Sequence, residues 1–251
     1  MVCETGGDMN RSAWKCAEEL DYMLGDARVV SIFSCGICAN LSDTGGLRGA
    51  RFLAETLETG GREVAVARSV TACCCEEIMR QALRINAGAI HGSDALVLIS
   101  CAAGVKSAFL CEPGIPIVPA VDSVGSVPVS RREDAVARSL CTNCGHCVIA
   151  FTGGICPLSE CPSRRKYEPC SRYGERGDLC AVDVARQCIW KEIEGRGDLE
   201  ALMELGCLHE NASFRRLVSS GSMPSPRMLR SVSGWIVARA GWFARLVPFV
   251  N

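Results

Sequence analysis

The chain has no excess of charge of either sign. Its 251 residues carry 27 Lys and Arg against 28 Asp and Glu, which gives a formal net charge of −1. Proteins that bind nucleic acid or anionic membranes usually have a surplus of basic residues. We therefore expect no nucleic-acid partner and no membrane contact.

Long apolar runs and export signals are also missing. The sequence contains no window of 18 apolar residues, and residues 1–10 lack the hydrophobic segment of a secretory signal. We therefore expect a cytoplasmic protein, in a reducing compartment where structural disulfides are rare.

The chain also has few histidines and no complete nucleotide-binding motif, which limits the reactions it could catalyse. The chain has only 3 His, no GxxxxGK[ST] phosphate loop and no complete GxGxxG motif, so nucleotide binding and acid–base catalysis have few candidates. Cysteine, by contrast, is abundant, with 18 residues. In a reducing compartment this number favours ligation of metals or clusters.

The first half of the chain alternates between strand and helix patterns. Runs typical of strands occur at 28–33, 63–67, 95–100 and 115–121, and the prolines of the last run limit it to a sheet edge. Apolar residues at helical spacing occur at 45–60 and 76–87, and one extra helix is expected in the first 25 residues, with Trp14, Ala17, Leu20 and Leu24 on it. This order predicts an α/β domain over residues 1–125, with an open, mostly parallel sheet.

The second half has a different character. From Cys141 the periodicity disappears, and residues 141–188 hold eight Cys among many Gly and Pro. Such a segment buries too few side chains to order itself, so we expect bound metal to order it. Residues 126–200 are therefore predicted to be a Cys-rich iron–sulfur region, with zinc as a further candidate. Residues 189–217 are predicted to be helical, and residues 201–251 are predicted to form a helical tail that ends in a docking arm.

The C-terminal stretch at 227–249 is basic and amphipathic. Leu229, Val232, Ile236, Ala240, Phe243 and Val247 fall on one helical face. We favour an arm that docks on a partner subunit, while a helix packed on this chain's own core and a helix lying in a membrane interface remain open.

Cysteines follow each of the first three predicted strands. Cys35 and Cys38 follow the first, Cys73–Cys75 the second, and Cys101 the third. Because the carboxyl ends of parallel strands meet at one edge of a sheet, these residues would converge and hold one cluster. We favour Cys74 within the triplet. The alternative is that these cysteines are buried as small hydrophobic residues.

The second half carries a ferredoxin-like spacing. Cys141, Cys144 and Cys147 are separated by two residues each, and Cys156-Pro157 follows. In [4Fe–4S] ferredoxins the gap before the fourth cysteine is three residues, whereas it is eight here. Further cysteines in this half could complete a second centre or hold Zn²⁺ by four thiolates, and the division between them is left open. The candidate ligands in this half are Cys141, Cys144, Cys147, Cys156, Cys161, Cys170 and Cys180, with Cys188 ending the run.

A few residues of the same types are expected not to bind metal. Cys3, Cys16, Cys111 and Cys207 lack these placements, so we expect packed or exposed thiols. His146 lies inside the spaced run, where a solvated loop residue is favoured over a ligand.

These motifs resemble a known family. CTNCGHCVIAFTGGICPLSEC at 141–161, with the later Cys170, Cys180 and Cys188-Ile189-Trp190, resembles the methylenetetrahydrofolate reductase C-terminal family, the MetV-type small subunit of acetogen reductases. The likeness extends through CGIC at 35–38, the cysteine triplet and SCAAGV at 100–105, and so covers residues 28–200. The chain departs from the family in two places. Asn40-Leu41-Ser42 stands where a third Cys is frequent, and the glycines of an NGPCGG phrase are missing around Cys170.

The resemblance implies an electron-transfer subunit of Wood–Ljungdahl one-carbon metabolism. It would hold about two [4Fe–4S] clusters, with zinc as an additional candidate, and would have no catalytic residues, folate site or flavin site of its own. Its partner would be a flavin-containing TIM-barrel large subunit that reduces 5,10-methylene-tetrahydrofolate to 5-methyl-tetrahydrofolate, and a further electron-delivering subunit is a second candidate partner. The competing hypothesis is a non-redox, zinc-bound structural subunit.

Overall fold

The computed structural model describes residues 11–124, 141–211 and 249–250. The strands are β1 (Ser12–Trp14), β2 (Val29–Cys35), β3 (Glu63–Val70), β4 (Ala95–Ile99), β5 (Ile117–Pro119), β6 (Val121–Ser123) and β7 (Phe249–Val250). The helices are α1 (Ala17–Leu24), α2 (Cys38–Leu41), α3 (Gly46–Thr59), α4 (Glu76–Ile85), α5 (Ala87–His91), α6 (Ala102–Leu110), α7 (Pro157–Glu160), α8 (Ile189–Arg196) and α9 (Leu199–Asn211).

The predicted parallel α/β sheet is confirmed. Four parallel strands lie in the order β5-β4-β2-β3, and β7 adds an antiparallel strand beside β3. Every residue of the central strand β4, ALVLI, is buried. A continuous apolar run is typical of a parallel strand that is covered on both faces.

The predicted strand at 115–121 is divided between two sheets. β5 pairs with β4 at the sheet edge, as its prolines predict, whereas β6 pairs antiparallel with β1 in a separate two-stranded sheet. The backbone changes sheets at Ala120, whose N–H bonds to Leu98 and whose carbonyl accepts the N–H of Lys15. This crossing brings β6 and Lys15 together.

One predicted helix begins later than expected, and one helix of the structure was not predicted. The first helix does not include Trp14, which lies in β1 opposite Val121. The helix α1 starts only at Ala17, because the Cys16 sulfur accepts the N–H of Glu19 as an N-cap. Helix α6 had no counterpart in the sequence reading, because its AAGVKSAFL sequence is rich in small residues and lacks a clear apolar stripe.

The apolar residues form two cores of unequal size. The larger surrounds the parallel sheet, and the smaller, around Trp190, gathers residues of α8, α9 and the Cys-rich loop. Between residues 141 and 188 the only helix is the four-residue α7. The predicted arm lies outside the described residues apart from Phe249, and no helix in the described ranges is long and apolar enough to cross a membrane.

Candidate metal centres

The predicted cysteines of the first half lie at the carboxyl ends of the parallel strands. Cys35 is the last residue of β2, Cys38 is the first residue of α2, and Cys101 is the N-cap of α6. Cys74 lies in the turn between β3 and α4. We call Cys35, Cys38, Cys74 and Cys101 the rim cysteines.

Cys74 interacts with the other three rim cysteines. Its pKa is raised well above the ordinary thiol value by burial and by the neighbouring thiolates of Cys101, Cys35 and Cys38. Neighbouring thiolates repel one another, so four cysteines this close together do not all ionise unless a cation binds among them. The rim therefore has the donor set of a site that binds a positively charged iron core.

The Cys35 sulfur is surrounded by hydrogen-bond donors. A hydrogen bond from the Cys73 thiol and the backbone N–H groups of Cys73, Ile37 and Ala39 lower the pKa of Cys35 to about 6, although burial opposes this. The same bond to Cys35, together with burial, raises the pKa of Cys73 well above its usual value. Cys35 is thus the member of this pair suited to bind as a thiolate, while Cys73 donates to it.

The ferredoxin-like run forms a second group around one pocket. The pocket is lined by Cys141, Cys144, Cys147 and Cys156, which we call the loop cysteines, and also by Ala102, Lys106, His146 and Lys166. Burial raises the pKa of Cys141, and the thiolates of Cys156 and Cys144 add to this effect. Cys144 is exposed, whereas Cys35, Cys38 and Cys101 of the rim are buried.

Strand β6 attaches the loop cysteines to the α/β domain. The Cys147 N–H donates to Asp122 Oδ1 at 2.7 Å. Ser123 Oγ accepts the N–H of Ala102 at 3.1 Å, and its hydroxyl also bonds to the Cys141 sulfur. Because Ala102 follows Cys101, the N-terminus of α6 lies between the two groups of cysteines. The sequence reading missed Asp122 and Ser123, since a single polar residue near a strand end carries no recognisable motif.

The remaining predicted ligands lie elsewhere in the Cys-rich loop. Cys161 and Cys188 pack in the small core around Trp190. Cys180 lies beside the bridge between Leu179 and Gln187, and its sulfur accepts the N–H of Asp183 at 3.4 Å. Cys170 is half-buried.

The described side chains form no site for a single metal ion. Within the ranges that the structure describes, no group of three or more His, Cys, Asp or Glu side chains is arranged to hold one metal ion. A four-iron cluster is held by four thiolates. Two sets of four cysteines, with N–H donors at their sulfurs, fit clusters in number and chemistry.

The cysteines that were expected not to bind metal lie outside the rim and loop groups. Cys16 caps α1, the Cys111 thiol donates to the carbonyl of Glu76 at 3.7 Å, and Cys207 is exposed. Cys3 lies outside the described residues. His146 differs from the expected solvated loop residue, because it is half-buried with its ring 4.9 Å from that of His209.

Comparison with known proteins gives one match. Residues 119–214 match the model of a family described as methylene-tetrahydrofolate reductase C terminal. No curated protein and no solved structure matches the chain significantly. The matched residues contain β6, the loop cysteines and helices α7 to α9, whereas the rim cysteines lie outside them. The segment that carries the second group of cysteines is thus similar to the C-terminal region of methylene-tetrahydrofolate reductase.

Proposed function

We propose that the chain is an electron-transfer subunit of a methylenetetrahydrofolate reductase complex. One [4Fe–4S] cluster would be held by the rim cysteines and a second by the loop cysteines. The observation that carries this proposal is the placement of two four-cysteine groups on either side of the α6 N-terminus, the second of them within the family match. No catalytic residue is proposed on this chain.

The chain's own residues would bind, shield and orient the clusters. When bound, the clusters would supply one-electron chemistry. Buried Cys35, Cys38 and Cys101 would exclude water from the rim, and the N–H groups around Cys35 would stabilise its thiolate. The N-terminus of α6 directs its partial positive charge towards Cys101, which favours an anionic ligand there.

Exposure suggests where electrons would enter or leave. Cys144 of the loop group is exposed, whereas three of the four rim cysteines are buried. A centre near the surface can approach a partner's cofactor more closely than a buried one can. We therefore place the contact with a partner at the loop group, and the buried rim group behind it.

The family match supports the choice of partner. We propose a flavin-containing large subunit, whose flavin would receive the electrons and reduce 5,10-methylene-tetrahydrofolate. A further electron-delivering subunit would supply them. The similarity of residues 119–214 supports the relation to a reductase, and the choice of these two partners rests on the motif resemblance.

Metal analysis of anaerobically purified protein tests the clusters. We expect about eight iron and a matching amount of sulfide per chain, and about four fewer iron in Cys38→Ala and in Cys144→Ala. Cys207→Ala is the matched control, because Cys207 is exposed like Cys144 but lies in α9. Zinc without iron or sulfide would contradict the proposal and favour a structural subunit.

Electron delivery is tested in the complex with the flavin subunit. We expect Cys144→Ala to slow flavin reduction through this chain at least tenfold. Oxidation of 5-methyl-tetrahydrofolate with an artificial dye that reacts at the flavin should keep its rate. Equal loss of both activities would mean that the variant damages the complex rather than electron transfer.

A further inference from the structure

A fully buried lysine lies beside the loop cysteines. The side chain of Lys15 has no exposure, and its ammonium donates to Glu19 Oε1 and to Asp122 Oδ1, the latter at 2.8 Å. Burial acts to lower the pKa of Lys15, but the carboxylates of Asp122 and Glu19 outweigh it and hold the pKa above its ordinary value. The two ion pairs place a buried ammonium between two buried carboxylates.

This network holds both backbone groups of Cys147. The Lys15 ammonium lies 3.4 Å from the carbonyl oxygen of Cys147. The Asp122 oxygen that accepts from Lys15 also accepts the N–H of Cys147, at 2.7 Å. Two opposite charges therefore touch the backbone of one proposed cluster ligand.

The far side of the network reaches helix α9. Glu19 Oε1 lies 3.1 Å from His209 Nε2, and His209 Nδ1 lies 2.7 Å from the hydroxyl of Tyr167. The network thus joins β6, α1, α9 and the Cys-rich loop. Lys15 and Asp122 alone are 107 residues apart in the sequence.

Stability alone is a poor explanation for these charges. Removing an ion from water costs several kcal/mol, and replacing buried ion pairs by apolar residues is often neutral or stabilising. A buried charge does, however, act strongly on a neighbouring charge, because little water screens it. A change of charge at the loop cysteines would therefore change the electrostatic energy of Lys15 and Asp122. In the same way, the charges of Lys15 and Asp122 would affect the energy of adding an electron at the loop cysteines.

We infer that Lys15, Glu19 and Asp122 position Cys147 and set the reduction potential of the centre at the loop cysteines. The inference rests on the proposed function. Reduction by a low-potential one-electron donor such as dithionite would add one electron to a cluster held by these cysteines and make it one charge more negative. The Lys15 cation favours this reduced form, and the carboxylates disfavour it.

A redox titration of the holoprotein, followed by electron paramagnetic resonance, tests this inference. Asp122→Asn keeps the shape and an oxygen acceptor but removes one negative charge, and Glu19→Gln does the same farther from Cys147. We expect both to raise the midpoint potential of the loop centre with iron retained, and Lys15→Met to lower it. The rim centre should shift less. Cys38→Ala and Cys144→Ala assign the two signals.

Asp21→Asn provides the matched control. Asp21 lies on α1 like Glu19, but its side chain is 67% exposed, so solvent should screen its charge and leave the potential unchanged. Shifts of opposite sign in the lysine and carboxylate variants are not expected from a structural role.

Two results would overturn the inference. One is an unchanged loop-centre potential in Asp122→Asn with full iron, and the other is an equal shift of both centres. Lys15→Met leaves two buried carboxylates without a cation, so it can fail to accumulate. Asp122→Asn and Glu19→Gln then decide, because each leaves Lys15 one carboxylate. Failure of the proposed function would look different, since the wild-type protein itself would lack iron.

Discussion

At the residue scale, Gly104 lets helix α6 pack closely against Ser100 and Cys73. A Cβ atom at this position would meet Ser100 Oγ at 2.0 Å and Cys73 Cβ at 2.8 Å. The Cys73 thiol in turn donates to Cys35. The absence of a side chain at one helical residue therefore preserves the contacts around a proposed ligand.

We expect Gly104→Ala to disturb this contact. The added methyl group would push Ser100 and Cys73 apart, at a cost of about 1–3 kcal/mol in the free energy of unfolding, and would lower the iron bound at the rim. Denaturant unfolding and iron analysis measure both effects. Gly195→Ala in α8 is the control, because nothing lies within 4 Å of its Cβ, and it should gain up to about 1 kcal/mol. Equal stability of the two variants would refute the packing argument.

At the element scale, Tyr22 joins α1 to α9 at a second point, apart from the contact between Glu19 and His209. The Tyr22 hydroxyl lies 2.9 Å from the carbonyl oxygen of Ala201 and 2.8 Å from Glu204 Oε2. Its ring packs beside that of Phe151, with centroids 5.8 Å apart. One side chain near the start of the described chain thus holds a helix that follows the whole Cys-rich loop.

Tyr22→Phe should loosen α9 while leaving the ring contact in place. Loss of the hydroxyl should lower the free energy of unfolding by about 1 kcal/mol. Amide exchange in α9 should become faster, and mass spectrometry of deuterated peptides measures it. Tyr173→Phe is the matched control. Its hydroxyl bonds to exposed Glu194 within one part of the chain, so α9 exchange should stay unchanged. Equal exchange in both variants would show that Tyr22 does not anchor α9.

At the scale of the whole molecule, the two apolar cores differ in how far apolar burial can stabilise them. The sheet core is built from the parallel strands and their helices. The small core consists of Val148, Ile155, Cys161, Trp190, Ile193, Leu202 and Leu205. Apolar burial can stabilise the first, whereas the loop beside the second needs another source of order.

Removal of iron should therefore affect the two halves unequally. After oxidation and chelation, we expect amides of residues 141–188 to lose their protection from exchange, while β2 and β4 keep theirs. Hydrogen exchange before and after treatment measures the difference. Reconstitution with iron and sulfide under anaerobic conditions is the control and should restore protection. Uniform loss along the chain would mean that both halves depend on the clusters for stability.

The strands and the positions of the cysteines follow from local pattern. The apolar run of β4 and the β-branched run of β2 are readable without a structure, since each buries a contiguous segment. Parallel strands then place Cys35 and Cys101 at the same edge of the sheet. That these residues bind a cluster stays a prediction. Helix α6 was not readable, because its small residues give no periodic signal.

The sequence by itself determined the α/β order, the cysteine spacing and the likeness of residues 119–214 to a reductase family. Only the tertiary structure decided which charges are buried. Lys15 and Asp122 look like ordinary solvated residues in the sequence. They meet because the chain changes sheets at Ala120 and brings β6 against β1. Contacts between such distant residues depend on how sheets and loops pack, and no local pattern encodes that packing.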